Sequence, residues 1–200
     1  VTVIVAVRTV DRVCMACDSQ ATNSTGYGAP LSQPKIVRRG TALYGVSGGL
    51  ALTNWSRFLA PPGPAVSLPS GFSLVEWATT IVAPALRAFG ADAKLAEVRD
   101  GASWMDIALM VAHGNQWCVV EGDGGVLQLD VPFHAVGSGA KEARGAMWLA
   151  SRDADGEELM LKVKDADAAV AQYIATQGVL AACALDTNCG PPVQVEWAGP

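Results

Sequence analysis

Chemistry in this chain has to come from a short set of side chains. They are five cysteines (Cys14, Cys17, Cys118, Cys183, Cys189), two histidines (His113, His134), and hydroxyls, carboxylates and amines that include Thr2, Asp18, Lys35, Ser138 and Asp186. The cysteines are odd in number and irregularly spaced, which argues for reduced thiols rather than a disulfide framework in a chain of 200 residues. Cys14-Met15-Ala16-Cys17 has the spacing of a redox or metal pair. It lies in an apolar, β-like run, however, with no second pair and no helix start to depress a thiol pKa, so strand packing is the better reading. His113 and His134 sit in or beside turns, away from any cluster at ligand spacing, and read as surface or loop histidines. A lysine, a carboxylate and hydroxyls are each common, so only their arrangement can decide whether they act together.

The elements that would position them follow from periodicity. Residues 2–8 and 12–17 are β-branched and apolar, with Thr9-Val10-Asp11 between them, which predicts a hairpin at the N-terminus. Residues 23–34 are rich in Gly, Ser and Pro and predict a loop; 35–39 and 42–46 predict two further strands that complete a first sheet by about Ser47. Gly48-Gly49 opens a helical pattern through Leu50, Trp55 and Phe58 that Pro61-Pro62-Gly63-Pro64 closes, and a proline-rich loop then runs to about Phe72. Ser73 and Glu76 have capping-box spacing, so a second helix starts near Leu74, with Pro84 as a kink. Apolar runs at 105–112, 116–121, 126–129 and 133–136, separated by turn residues, predict a second antiparallel sheet. Ala140–Ala150 and 166–185 carry helical periodicity, and 193–195 predict an edge strand after Pro191-Pro192. Two antiparallel sheets, each covered by a helix pair, predict an α+β fold: a four-layer α-β-β-α sandwich forming one domain over residues 1–200.

Composition narrows the partners. Half the residues are apolar, enough for one sizeable core. The net charge of -5 and the lack of a Lys/Arg cluster argue against nucleic acid and against an anionic membrane surface. The opening run of seven apolar or hydroxyl residues before Arg8 lacks a basic leader and is too short for a signal or a membrane span, so a cytoplasmic location is expected.

Several short motifs then fall into one order. Thr2-Val3-Ile4-Val5-Ala6-Val7-Arg8 resembles the N-terminal Thr-Thr-Ile-Val-Ala-Val-Arg strand of proteasome β subunits and of the bacterial HslV peptidase. The resemblance continues at Asp18-Ser19-Gln20-Ala21-Thr22, Lys35-Ile36-Val37-Arg38, Gly45-Val46-Ser47-Gly48-Gly49 and Val136-Gly137-Ser138-Gly139. It is thinner between residues 61 and 101. Each motif alone is weak; in register from residue 2 to residue 139 they are specific.

The resemblance implies a threonine peptidase of the N-terminal-nucleophile class. Thr2 would be the nucleophile, with its own α-amine, which titrates near ~8 in model peptides, as the base. Lys35 would favour the neutral amine, and Asp18 would pair with Lys35 as orienter rather than base. The Gly48 main-chain N–H would be the oxyanion donor, and Ser138 would hydrogen-bond near the amine. Asp186 with Cys189-Gly190 resembles an Asp-x-x-Ser-Gly segment in which cysteine here replaces serine. In relatives the carbonyls of that turn can hold a cation, and Cys183, Asp186 and Cys189 are the corresponding positions. Cleavage itself would require no cofactor. The specificity pocket would include Ala21, Val37, Val46 and Leu50, implying cleavage after apolar residues. Unfolded polypeptide would be the substrate, in a ring-shaped homo-oligomer served by an ATP-dependent unfoldase. Two other readings share the fold: an amidase acting on small amides, and a silent ring subunit. Val1 would acylate the required amine. It is read as a GTG start translated literally, so that the initiator would be trimmed to expose Thr2.

Overall fold

The computed structural model describes residues 2–22, 28–64, 73–99, 102–152 and 168–199. Strand alternation accounts for most of the architecture. In β1 (Val3–Arg8), Val3, Val5 and Val7 face a helix-covered core, whereas Ile4 and Ala6 face the opposite sheet. In β2 (Val13–Cys17), Cys14 and Ala16 share the first face, and Val13, Met15 and Cys17 the second. The two cysteines of the Cys-x-x-Cys run therefore point to opposite sides, and burial pushes both thiols up to about 12, so strand packing is what the structure shows.

The same alternation governs the second sheet. Tyr44 and Val46 of β6 (Ala42–Gly48), Leu109 and Val111 of β9 (Ile107–His113), and Cys118 and Val120 of β10 (Gln116–Glu121) face helices. Leu43, Met110, Ala112, Trp117 and Val119 face the first sheet. Fully burying one side chain such as Ile4 or Met110 stabilises by about 1.5–3 kcal/mol, so this central layer holds the sheets together. The sheets approach closely at Gly45, where a Cβ would lie 2.6 Å from Ile4 Cγ2 and 2.8 Å from Met15 Cε.

Helices α1 (Leu50–Phe58), α2 (Leu74–Trp77) and α3 (Ala83–Asp92) cover the second sheet; α4 (Ala140–Ala150) and α5 (Ala168–Leu185) cover the first. Ser73 caps α2 by accepting from Glu76 N at 3.1 Å. The kink anticipated at Pro84 is a π-helical turn, Ala78–Val82, joining α2 to α3; proline has no N–H for the regular ladder, and the wider turn absorbs that loss. α5 has the length and hydropathy of a membrane span, yet Ala171, Ile174, Ala175, Gly178, Val179 and Ala182 are buried in this core. The result is the four-layer α-β-β-α sandwich with two antiparallel sheets.

Strand membership differs from the expected order. The first sheet runs β12-β1-β2-β13, with β12 (Phe133–Gly137) and β13 (Gln194–Ala198), and the second runs β11-β10-β9-β6-β5, with β5 (Ile36–Arg39) and β11 (Val126–Leu127). The strands at 35–39 and 42–46 thus leave the N-terminal hairpin and join the later strands. Two small hairpins were not foreseen: β3 (Gln20–Thr22) with β4 (Gly28–Pro30), partly inside the expected 23–34 loop, and β7 (Glu97–Arg99) with β8 (Ala102–Trp104). Residues 23–27, 65–72 and 166–167 of the expected loops and last helix lie outside the described residues. The histidine reading is also corrected. His134 lies within β12, opposite Ala6, with its ring stacked on Trp117 at 5.5 Å, and half-buried His113 ends β9.

Candidate active site

Antiparallel pairing brings the distant residues together. β2 and β12 flank β1 and run against it, so their C-terminal ends lie beside the beginning of β1. Asp18 follows β2 and Ser138 follows β12, and both therefore arrive at Thr2. Lys35 precedes β5 and Gly48 ends β6, so the second sheet contributes from across the sandwich.

Thr2, Asp18 and Lys35 are 2%, 0% and 4% exposed, and buried polar groups of this kind persist only when satisfied. Asp18 is satisfied fully. Its Oδ1 accepts from the Thr2 hydroxyl, from Val3 N at 3.0 Å and from Lys35 Nζ at 2.8 Å. Its Oδ2 accepts from Gln20 N at 3.1 Å and Gly190 N at 3.3 Å. Lys35 Nζ also donates to Thr2 Oγ1 at 2.5 Å. The hydroxyl is therefore fixed between a carboxylate and an ammonium, an arrangement that orients one Oγ lone pair.

A second cluster supports it. Ser138 Oγ donates its one proton to the Asp186 carboxylate and lies 3.5 Å from Thr2 O. Asp186 Oδ1 accepts from Asn188 N at 2.9 Å, and Cys189 Sγ donates to Oδ2 at 3.6 Å. Burial pushes the Asp186 carboxyl up, but the bonds from Ser138, Asn188 and Cys189 outweigh it and leave its pKa below the ordinary value. Burial and then the Asp18 and Asp186 charges push the Cys189 thiol up to about 12, so it stays protonated and donates as a serine hydroxyl would.

A cavity of about 870 Å³ opens onto Thr2. Ala21, Val46 and Leu50 of the expected pocket line it, as does Gly48. Val37 does not. Its register partner is Tyr44, whose ring packs in the helix-side core, so Val37 sits on the face turned to α1. Trp104, Asp106 and Glu121, which sequence reasoning missed, also line the cavity. Burial, with Asp123 second, raises the Glu121 pKa. Gly137 was quoted only as part of a motif; at φ +100° it occupies a conformation that disfavours side chains, and a Cβ there would lie 2.1 Å from Thr2 O. Gly190 supplies a donor to Asp18 that only its place beside Cys189 hinted at. Among the described residues, no group of three His, Cys, Asp or Glu could hold a metal ion.

The four layers, with Thr2 lining the cavity, give this chain the proteasome-like fold of the solved structures it matches. Among solved structures, BPH of Thiobacillus denitrificans in complex with epoxomicin is 19% identical, with a TM-score of 0.70 over 99% of this chain and 100% of that one. HslV from Trypanosoma brucei is 19% identical, with a TM-score of 0.59 over 98% of each chain. Anbu, an ancestral β-subunit from Yersinia bercovieri, is 14% identical, with a TM-score of 0.66 over 98% of this chain and 81% of its own. No family model and no curated protein matches the sequence.

Proposed function

We propose that this chain is a threonine-type endopeptidase subunit of a proteasome- or HslV-like protease, hydrolysing peptide bonds of unfolded polypeptide with Thr2. The observation that carries the reading is the buried Thr2 hydroxyl held between Asp18 and Lys35 at the mouth of the cavity. Once residue 1 is removed, the α-amine of Thr2 takes the Oγ proton, directly or through a water, as Oγ attacks the carbonyl carbon. The Lys35 ammonium favours the neutral amine, and Asp18 keeps that ammonium in place. Negative charge develops on the carbonyl oxygen, where the Gly48 N–H donates; in other enzymes losing one such donor costs about 2.7–4 kcal/mol. The amine then protonates the leaving nitrogen, and water hydrolyses the acyl ester on Thr2. The step draws on the chain's own groups. Ser138 lies beside the main chain of Thr2, and Asp186 orients the Ser138 hydroxyl.

Ala21, Val46 and Leu50 favour an apolar side chain before the cleaved bond, and Asp106 and Glu121 disfavour an acidic one. A ring of identical subunits, fed by an ATP-dependent unfoldase in the cytoplasm, would restrict the site to unfolded chains. The test is hydrolysis of fluorogenic peptides ending in Leu, Arg or Glu by wild type and by Thr2→Ala. Turnover that prefers Leu and disappears in T2A supports the reading. Turnover that survives in T2A, or equal cutting after Glu, contradicts it.

A further inference from the structure

β13 is the edge strand of the first sheet and β5 the edge strand of the second, and one side chain joins them beside the site. Gln194, in register with Cys17, reaches across to the start of β5. Its Oε1 accepts from Lys35 N at 3.0 Å, from Ile36 N at 3.3 Å and from Cys17 Sγ at 3.3 Å. Its Nε2 donates to Ile36 O at 2.9 Å. Accepting from and donating to the same residue is how one antiparallel strand pairs with another, so the carboxamide stands in for a neighbouring strand that β5 lacks on this side.

We infer that Gln194 is a positioning residue that fixes the main chain of Lys35 and thereby sets where the Lys35 ammonium meets Asp18 and Thr2. A lysine stem has four rotatable carbons, and its ammonium is placed accurately only when the backbone beneath it is fixed. Lys35 is the first residue before β5, where regular pairing has not begun, and the other strand at that edge belongs to the opposite sheet. Gln194 supplies the missing hold from the sheet that also carries Thr2 and Asp18. Cys17 reinforces it: burial keeps the thiol protonated, so it donates to Oε1 and orients the amide.

This inference rests on the proposed peptidase reading for its catalytic consequence but not for its structural content. The test is Gln194→Met, of similar length without the amide, compared with Val195→Ala, a neighbouring packing change outside the site. Amide hydrogen exchange at Lys35 and Ile36 is expected to accelerate at least ~10-fold in Q194M while the β6 and β9 amides keep their rates. The ¹³Cε resonance of Lys35 should move, and kcat on the Leu peptide should fall about tenfold with KM within about twofold. V195A should lower the melting temperature without either signature. Unchanged exchange at Lys35 and Ile36 overturns the inference, as does faster exchange with an unmoved Lys35 resonance and unchanged kcat. If wild type proves inactive on peptides, the peptidase reading fails by itself, and the Lys35 resonance decides: movement in Q194M supports the positioning role, and an unmoved resonance overturns it.

Discussion

Asp18 and Lys35 form one buried ion pair, yet the structure predicts that its two halves are far from equivalent. Removing Asp18 as Asp18→Ala leaves the Lys35 ammonium buried with Thr2 Oγ1 as its remaining partner. It also strips the acceptor from Val3 N, Gln20 N and Gly190 N. An uncompensated buried charge costs roughly 3–5 kcal/mol and each orphaned donor adds to it, so about 5 kcal/mol is expected. Removing the ammonium as Lys35→Met takes away its two hydrogen bonds, to Asp18 and to Thr2, but leaves Asp18 with three backbone donors and the Thr2 hydroxyl, so the loss is about 3 kcal/mol. At about 2–4 °C per kcal/mol for a chain of this size, D18A should melt about 10–20 °C below wild type and K35M about 6–12 °C below. Thermal unfolding followed by circular dichroism at pH 7 reads both. Both variants should be inactive on peptides, so stability separates the roles where activity cannot. If K35M is as destabilised as D18A, the satisfaction of Asp18 by the backbone is not what holds the site.

Gly137→Ala should cost about 3 kcal/mol, because its φ of +100° and the overlap with Thr2 O must both be relieved, and displacement of Thr2 should lower peptide turnover at least ~100-fold. Gly145→Ala in α4, where a Cβ meets nothing within 4 Å, should leave turnover unchanged and match or raise stability by up to about 1 kcal/mol, as melting curves would show. His134 titrates below its ordinary value of 6.5, first through burial and then through the Arg144 charge. The unfolded chain therefore binds this proton at the higher pH. The stability this imidazole contributes is complete above about 6.5 and is lost as pH falls through its native pKa. His134→Phe, which keeps the stack on Trp117, should lose less melting temperature between pH 7.5 and 5 than wild type; equal losses would show that another group dominates. Ser138→Ala removes one of the bonds that lower the Asp186 pKa, so the Asp186 carboxyl resonance should titrate at higher pH, and an unmoved titration would mean that Asn188 and Cys189 set it alone.

Much of the fold was legible because the chemistry is local. The alternation in 3–8, 13–17 and 107–121 sorts side chains into a helix-side and a sheet-side core, and four layers follow. Strand membership was not legible: pairing of Val3 with Gly137 depends on a contact across more than a hundred residues, and no turn signal encodes it. Three-residue strands such as Gln20–Thr22 and Glu97–Arg99 are too short to carry a period. At the site, motif register singled out Thr2, Asp18, Lys35 and Ser138, and the structure brings all four together. Val37 was misplaced because it lies inside β5 and shares the helix-side face with its register partner Tyr44, whereas Lys35 precedes the strand. Gln194, Asp106 and Glu121 carry no motif; only tertiary placement brings them to the cavity or its supports.

The central claim is that Thr2, with a free amine, is a nucleophile. Intact mass of the purified protein before and after a peptide epoxyketone, a reagent that closes a ring with both the hydroxyl and the amine of an N-terminal threonine, tests this most directly. The account predicts a parent mass lacking residue 1 and a single adduct that Thr2→Ala abolishes. A chain that begins at Thr2 yet takes up no reagent would contradict it.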